Sequence, residues 1–453
     1  MLKPHPMNQT FVDYYRCPEE FARCVLDGEP SPQLGHFRFG PEAICYGCIR
    51  KGVTRSRPDG ELHDAMNDAV VKCEVVRLSF DPDQVVNNLR FERYWGNGNA
   101  QDQSFLSSGL ANKLYYFTRP LLSVSVRRHL QKLRLADWRS IPFPRWPVDR
   151  TVEQIHETML RLCIQARNGQ EVPFIWFWPE GLPSCSIITH DVEQVNGRDF
   201  CPALMDLDEK FGIKSSFQLI PEGRYTLSSS FLQSIRSRGF EVNVHDLNHD
   251  GRLFTNKEKF SSRAPRINQY GRELGAQGFR SGALYHNLDW YGELEFSYDM
   301  SVPSAAHLDP QRGGCCTVMP YFIGKILELP VTTTQDYSLF HILGQYSIDL
   351  WKRQIAQITE KHGLASFIIH PDYILEQRTR DTYESLLGYL ADLRSKEKIW
   401  IALPREVNQW WRSRNQMKLV RQGSGWAIEG PDKDKARVAY AAMNGNELVY
   451  ELA

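Results

Sequence analysis

The stretch Ser186-Ile187-Ile188-Thr189-His190-Asp191-Val192-Glu193 decides how this chain is read. A short strand-forming run passes directly into a cluster of ionisable side chains. Two later stretches repeat the arrangement. Glu241-Val-Asn-Val244 leads into His245-Asp-Leu-Asn-His249, and Ala365-Ser-Phe-Ile-Ile369 leads into His370-Pro-Asp372. Ser215–Ile220 and Ile399–Leu403 are two more strand candidates, with helical stretches between them, for example Ser228–Arg238 and Asp381–Lys396. Short apolar runs alternating with helices predict an α/β domain. Ionisable groups at the C-terminal ends of parallel strands are where α/β barrels build active sites.

Outward from this centre the chain changes character. Residues 1–180 carry no chemical motif and read as an N-terminal α+β region. Within it, Pro142-Phe-Pro-Arg-Trp-Pro147 is a rigid breaker. After it, Asp149 or Thr151 is placed to cap a helix with Val152, Ile155, Met159 and Leu162 on one face. The basic stretch Leu121–Leu135 has two readings: a surface helix packed on its own domain, or a peripheral contact with an anionic membrane surface. Beyond Pro404, Lys418–Ile428 and Arg437–Tyr450 each read as strand, turn, strand, with Asn444-Gly445 as the second turn. The expected division is therefore an N-terminal region (1–180), a catalytic domain (181–405) and a small antiparallel β module (406–453).

Length and composition set bounds. A chain of 453 residues holds two or three domains. A hydrophobic fraction of 42% with 24% charged residues is that of a globular protein. The 54 basic and 54 acidic residues cancel, which removes the electrostatic argument for a nucleic-acid partner. Met1–Thr10 has no apolar signal core, and no apolar window reaches the roughly 18 residues of a membrane span. The expected location is cytoplasmic and reducing, so the ten cysteines are not read as a disulfide scaffold. Cys45-Tyr-Gly-Cys48 is a weak zinc signal without a second such pair, and Cys315-Cys316 are read as structural.

The strand-end residues suggest a chemistry. His245 and His249, four apart, can face one point on a helical turn or compact loop. Asp191 and Glu193, two apart, share a face of extended backbone. One carboxylate can complete a two-His, one-carboxylate metal set while the other takes a proton from water. Amide hydrolysis needs an activated water, a stabilised oxyanion and a proton for the leaving amine. A divalent metal, a carboxylate base and an acidic histidine supply them.

Taken in order, Thr189-His-Asp-Val-Glu193, His245-x-x-x-His249, Gly278-Phe-Arg-Ser281 and Ser366-Phe-Ile-Ile-His370 resemble the ordered motifs of the polysaccharide deacetylases. These are the NodB homology domains, carbohydrate esterase family four. The resemblance covers about half of the chain, from Pro183 to Arg405. It implies a distorted (β/α) barrel and a divalent metal, zinc first, held by Glu193, His245 and His249. It also implies Asp191 as base, Arg280 keeping that base ionised, and His370 as general acid. Asp299, in Tyr298-Asp-Met-Ser-Val-Pro303, is expected to shape the pocket and orient His370. The implied substrate is an N-acetylated sugar or oligosaccharide, an intermediate of surface-polysaccharide or glycan biosynthesis.

Departures stand beside these matches. Glu193 replaces the more usual Asp, Arg280-Ser-Gly282 replaces Arg-x-Pro, and His190 sits where an aromatic is common. Asp372 either orients His370 or caps the next helix. Asp336 and His341 receive no role. Two other functions fit the pattern: a sugar-binding scaffold that has lost turnover, and a hydrolase of another acyl ester or amide.

Overall fold

The computed structural model describes residues 8–29, 31–96, 135–423 and 425–453. All but the last residue of the basic stretch Leu121–Leu135 lies outside them. Eight strands form the main sheet, in spatial order Tyr321–Ile323, Ile326–Glu328, Tyr298–Asp299, Gly278–Arg280, Glu241–His245, Ser216–Leu219, Cys185–Val192 and Leu364–Ile369. A ninth, Trp400–Ile401, pairs beside the start of Cys185–Val192. Only the Tyr321–Ile323 pairing is antiparallel. Cys185–Val192, Ser216–Leu219, Glu241–His245 and Leu364–Ile369 are buried along their whole length, as parallel strands covered on both faces must be.

The predicted strands are all present, but Ile399–Leu403 contracts to Trp400–Ile401. The sheet curls into a barrel whose last seam is not a backbone ladder. Thr332 Oγ1 donates to the Leu364 carbonyl (2.6 Å) and accepts from Ser366 N–H (2.9 Å), and Thr333 Oγ1 donates to the Ser366 carbonyl (2.7 Å). Two threonine hydroxyls thus join the segment after Ile326–Glu328 to Leu364–Ile369. That is the physical content of the expected distortion.

Strand register decides what faces inward. Asp191 is level with Gln218, Gln218 with Asn243, and His245 with Arg280. Ile369 is level with His190, so the next residue, His370, comes level with Asp191. The alternate residues Ile188, Phe217, Leu219, Phe367 and Ile369 face outward into a shared apolar layer with the helices Val195–Lys210 and Gln377–Ser395.

In the N-terminal region, Asp149 Oδ1 accepts from Thr151 N–H (2.9 Å) at the head of the helix Thr151–Ala166. The face Val152, Ile155, Met159, Leu162 is buried as its spacing predicts. Cys45 and Cys48 lie three apart on the strand Ala43–Cys48, which turns them to opposite faces and away from a common metal. The tail is not a free-standing module. Its strand Val438–Asn444 pairs with Glu447–Leu452 on one side and with Val172–Ile175, from ahead of the barrel, on the other. The hairpin's two-residue turn is Gly445-Asn446, one residue later than its sequence suggests, with glycine at positive φ (61°). One apolar cluster runs from Phe11 through Phe174, Trp178 and Trp410 to Ile187 and Tyr298 inside the barrel. Among the described residues no helix is long and apolar enough to cross a membrane.

Candidate active site

Extended backbone to the end of Cys185–Val192 points Asp191 into the barrel and leaves Glu193 at its mouth. His245 closes the strand Glu241–His245. The loop after it turns back through Asp246 and His249, both at positive φ (56° and 54°), so His249 folds over His245 with ring centroids 4.8 Å apart. Compact loop geometry, not a helical turn, therefore brings the two imidazoles together. Ligand atoms of Glu193, His245 and His249 all lie within 4.8 Å of one another.

The donor set fits a divalent cation. His245 Nδ1 lies 3.2 Å from the Arg280 carbonyl, which makes Nδ1 the protonated nitrogen and leaves the Nε2 lone pair facing the cluster. That Nε2 is buried without a hydrogen-bond partner. Burial first, with Asp191 opposing, lowers the His245 pKa to about 4, so the ring is neutral as a ligand must be. His249 Nε2 sits 3.0 Å from Glu193 Oε1; burial lowers the His249 pKa, but Glu193 outweighs it and raises the value, favouring a ring proton that a bound cation would displace. Two buried imidazoles and a carboxylate converging with unused lone pairs suit zinc or a similar ion.

Beside this cradle lie Asp191 and His370, each with a charged partner. Arg280 Nη1 is 3.3 Å from Asp191 Oδ1 and 3.5 Å from Oδ2. Burial pushes the Asp191 carboxyl up, but Arg280 and then His245 outweigh it and hold the group below its ordinary value. His370 Nε2 approaches Glu193 Oε1 at 3.6 Å, and its Nδ1 lies 2.6 Å from Asp336 Oδ1. Burial alone would lower the His370 pKa; Asp336 and then the two site acids raise it to about 10. The charge of Asp336 thus favours the imidazolium form of His370.

Several expectations change here. Asp299 does not orient His370. It is level with the outward-facing Phe279, so strand alternation turns it away from the barrel interior. There it accepts from Ser301 N–H (3.0 Å), Ser301 Oγ (2.8 Å) and Tyr291 Oη (3.1 Å), next to Glu328. The orienting carboxylate is Asp336, passed over in the sequence. It also accepts from the His370 backbone N–H (2.7 Å). The available signal was its place just after the Thr332-Thr333-Thr334 run, in the polar segment that leads from Ile326–Glu328 into the next helical turn. Asp372 neither orients His370 nor caps the following helix. It reaches across to accept from Gln194 and Gly197 N–H at the start of the helix Val195–Lys210. His190, on the opposite strand face from Asp191, bonds the Ile369 carbonyl and Asp208 outside the barrel. Gly282, where the motif departs from Arg-x-Pro, lies against the loop that carries Asp246 and His249. A Cβ there would come 2.5 Å from Asp246 Oδ2 and 3.1 Å from His249 Cδ2.

No family model matches the chain, and no curated protein does. Among solved structures, a protein named a polysaccharide deacetylase from Mycobacterium smegmatis overlaps 52% of this chain and 93% of its own, at 16% identity and a TM-score of 0.42. A protein named for polysaccharide deacetylation in O-antigen biosynthesis, from Bordetella bronchiseptica, overlaps 51% and 86% at 20% identity and 0.31. An allantoinase overlaps 52% and 92% at 11% identity and 0.41. The chain is similar to these over about half its length. Likeness at this level carries nothing about substrate, and function is argued from the site's own residues.

Proposed function

We propose that this protein is a metal-dependent hydrolase that removes the acetyl group from an N-acetylated sugar. The observation that carries the reading is the meeting of three units at the strand ends: Asp191 with Arg280, His370 with Asp336, and the cradle of Glu193, His245 and His249. A divalent ion held by Glu193, His245 and His249 would polarise the acyl oxygen and acidify water. Asp191, kept ionised by Arg280, accepts the proton of that water at a carboxylate oxygen. His370, fixed through Nδ1 by Asp336, presents Nε2 at the edge of the cradle, 3.6 Å from Glu193 Oε1, and protonates the departing amine. Acetate and a free amino sugar would result.

The test is acetate release by zinc-loaded protein from N-acetylglucosamine oligomers, nucleotide-linked N-acetyl sugars, and acyl-ester and non-sugar amide controls. The reading expects release from at least one N-acetyl sugar, falling by about 10²–10⁴-fold in Asp191→Asn. A wild type that takes up no divalent metal, or that releases acetate only from the controls, rejects it.

A further inference from the structure

The loop that carries Arg280 is pinned from the N-terminal region. Glu92, just past the helix Pro82–Arg90, places its carboxylate 2.7 Å from His286 Nε2, with the two side chains only 10% and 2% exposed. His286 Nδ1 bonds the Leu284 carbonyl (2.9 Å), and its backbone N–H donates to Gln311 Oε1 (3.0 Å). The segment between Arg280 and His286 has little slack. Ala283 and Leu284 are held at positive φ (56° and 54°), a conformation non-glycine residues keep only when their surroundings impose it. Leu284 is buried among Val331 and Ile368 inside the barrel. Gly282 lies against His249 and Asp246 with no room for a Cβ.

The other end of this segment is the site itself. Arg280 bonds Asp191 through its side chain, and its carbonyl accepts from both His245 Nδ1 (3.2 Å) and Asp246 N–H (2.7 Å). Any shift of the loop therefore moves the base's partner and a cradle histidine together. Glu92 too is held at positive φ (54°), and a Cβ on Gly313 would meet its Oε1 at 2.9 Å, so the carboxylate is enclosed on that side.

We infer that Glu92 is a positioning residue for the site: through His286 it fixes the Arg280–His286 loop, and so sets the orientation of His245 and the contact of Arg280 with Asp191. The N-terminal region is then part of the catalytic unit and not only a support. This rests on the metal cradle proposed above.

Zinc titration of the full chain tests it, comparing wild type with Glu92→Gln, His286→Gln and the double variant, and with Tyr94→Phe as control. Tyr94 Oη donates to the Gly314 carbonyl (2.6 Å), another contact between the N-terminal region and the barrel that does not touch the loop. Glu92→Gln is expected to weaken zinc binding by ~10-fold, as loss of a group that supports metal ligands does. The double variant should be no worse than either single one, because the two act through one contact. Tyr94→Phe should lower Tm and leave zinc affinity alone. Wild-type affinity in Glu92→Gln, or an equal loss in Tyr94→Phe, overturns the inference. Should Glu92→Gln fail to fold, His286→Gln carries the same comparison. If wild type itself binds no zinc, the function reading fails separately. The His245 Nδ1–H resonance of ¹⁵N-histidine-labelled protein then decides: a shift in Glu92→Gln supports the positioning role, and an unmoved resonance rejects it.

Discussion

Asp336 uses both carboxylate oxygens on His370, one on the ring Nδ1 at 2.6 Å and the other on the backbone N–H at 2.7 Å. Its negative charge is the leading cause of the raised His370 pKa, after the opposing effect of burial. The sign follows directly. In the proposed mechanism protonated His370 is the acid, so activity should persist below its pKa and be lost as pH rises through it. Asp336→Asn removes the charge that favours the imidazolium, and the alkaline limb of the kcat–pH profile is expected to move down. A bound cation would lower both profiles without reversing that difference. A profile that falls in height with no displacement of the limb would make Asp336 a support of backbone only. Gly282 makes a second prediction at this scale. Gly282→Ala drives a methyl into Asp246 and toward His249, and zinc affinity should fall by ~10–100-fold, read by metal titration. Unchanged affinity would mean the loop yields.

At the scale of elements, the seam between Thr332–Thr333 and Leu364–Ile369 holds the barrel closed by hydroxyls. Thr332→Val leaves the Ser366 N–H and the Leu364 carbonyl without those partners at a buried position. We expect a loss of about 2–3 kcal/mol, measured by denaturant unfolding. Thr333→Val removes only one donor to the Ser366 carbonyl and should cost about 1 kcal/mol. Equal effects would show that the seam depends on volume and not on hydrogen bonds. The same elements explain what the sequence hid. Alternation along a strand is legible, and it placed Asp191 and Glu193 correctly on one face. The pairing register between strands is not legible, and register is what turned Asp299 outward with Phe279.

At the scale of the whole molecule, the C-terminal tail is tied to the segment that enters the barrel. Val172–Ile175 leads toward the barrel and finds its partner strand in Val438–Asn444. Deleting residues 437–453 would strip that partner from a wholly buried strand and uncover Phe174 and its aromatic neighbours. The expected result is a lower Tm with loss of soluble protein, followed by circular dichroism and yield. An unchanged cooperative transition would show that the tail does not support the fold.

By itself the sequence determined the α/β pattern, the strand ends and most of the residues gathered there. Local spacing is enough to place apolar runs, and side chains two or four apart, relative to each other. Asp191, Glu193, His245, His249, Arg280 and His370 were all named on that basis or through the resemblance it supported. Only the tertiary structure decided which distant carboxylate serves His370, how the barrel closes, and that the N-terminal region reaches the site through Glu92. Asp336 lies 34 residues from His370, and Glu92 lies 194 from His286. Contacts across such separations depend on strand register and loop path, which no local pattern encodes, and each forms only when the whole chain has packed.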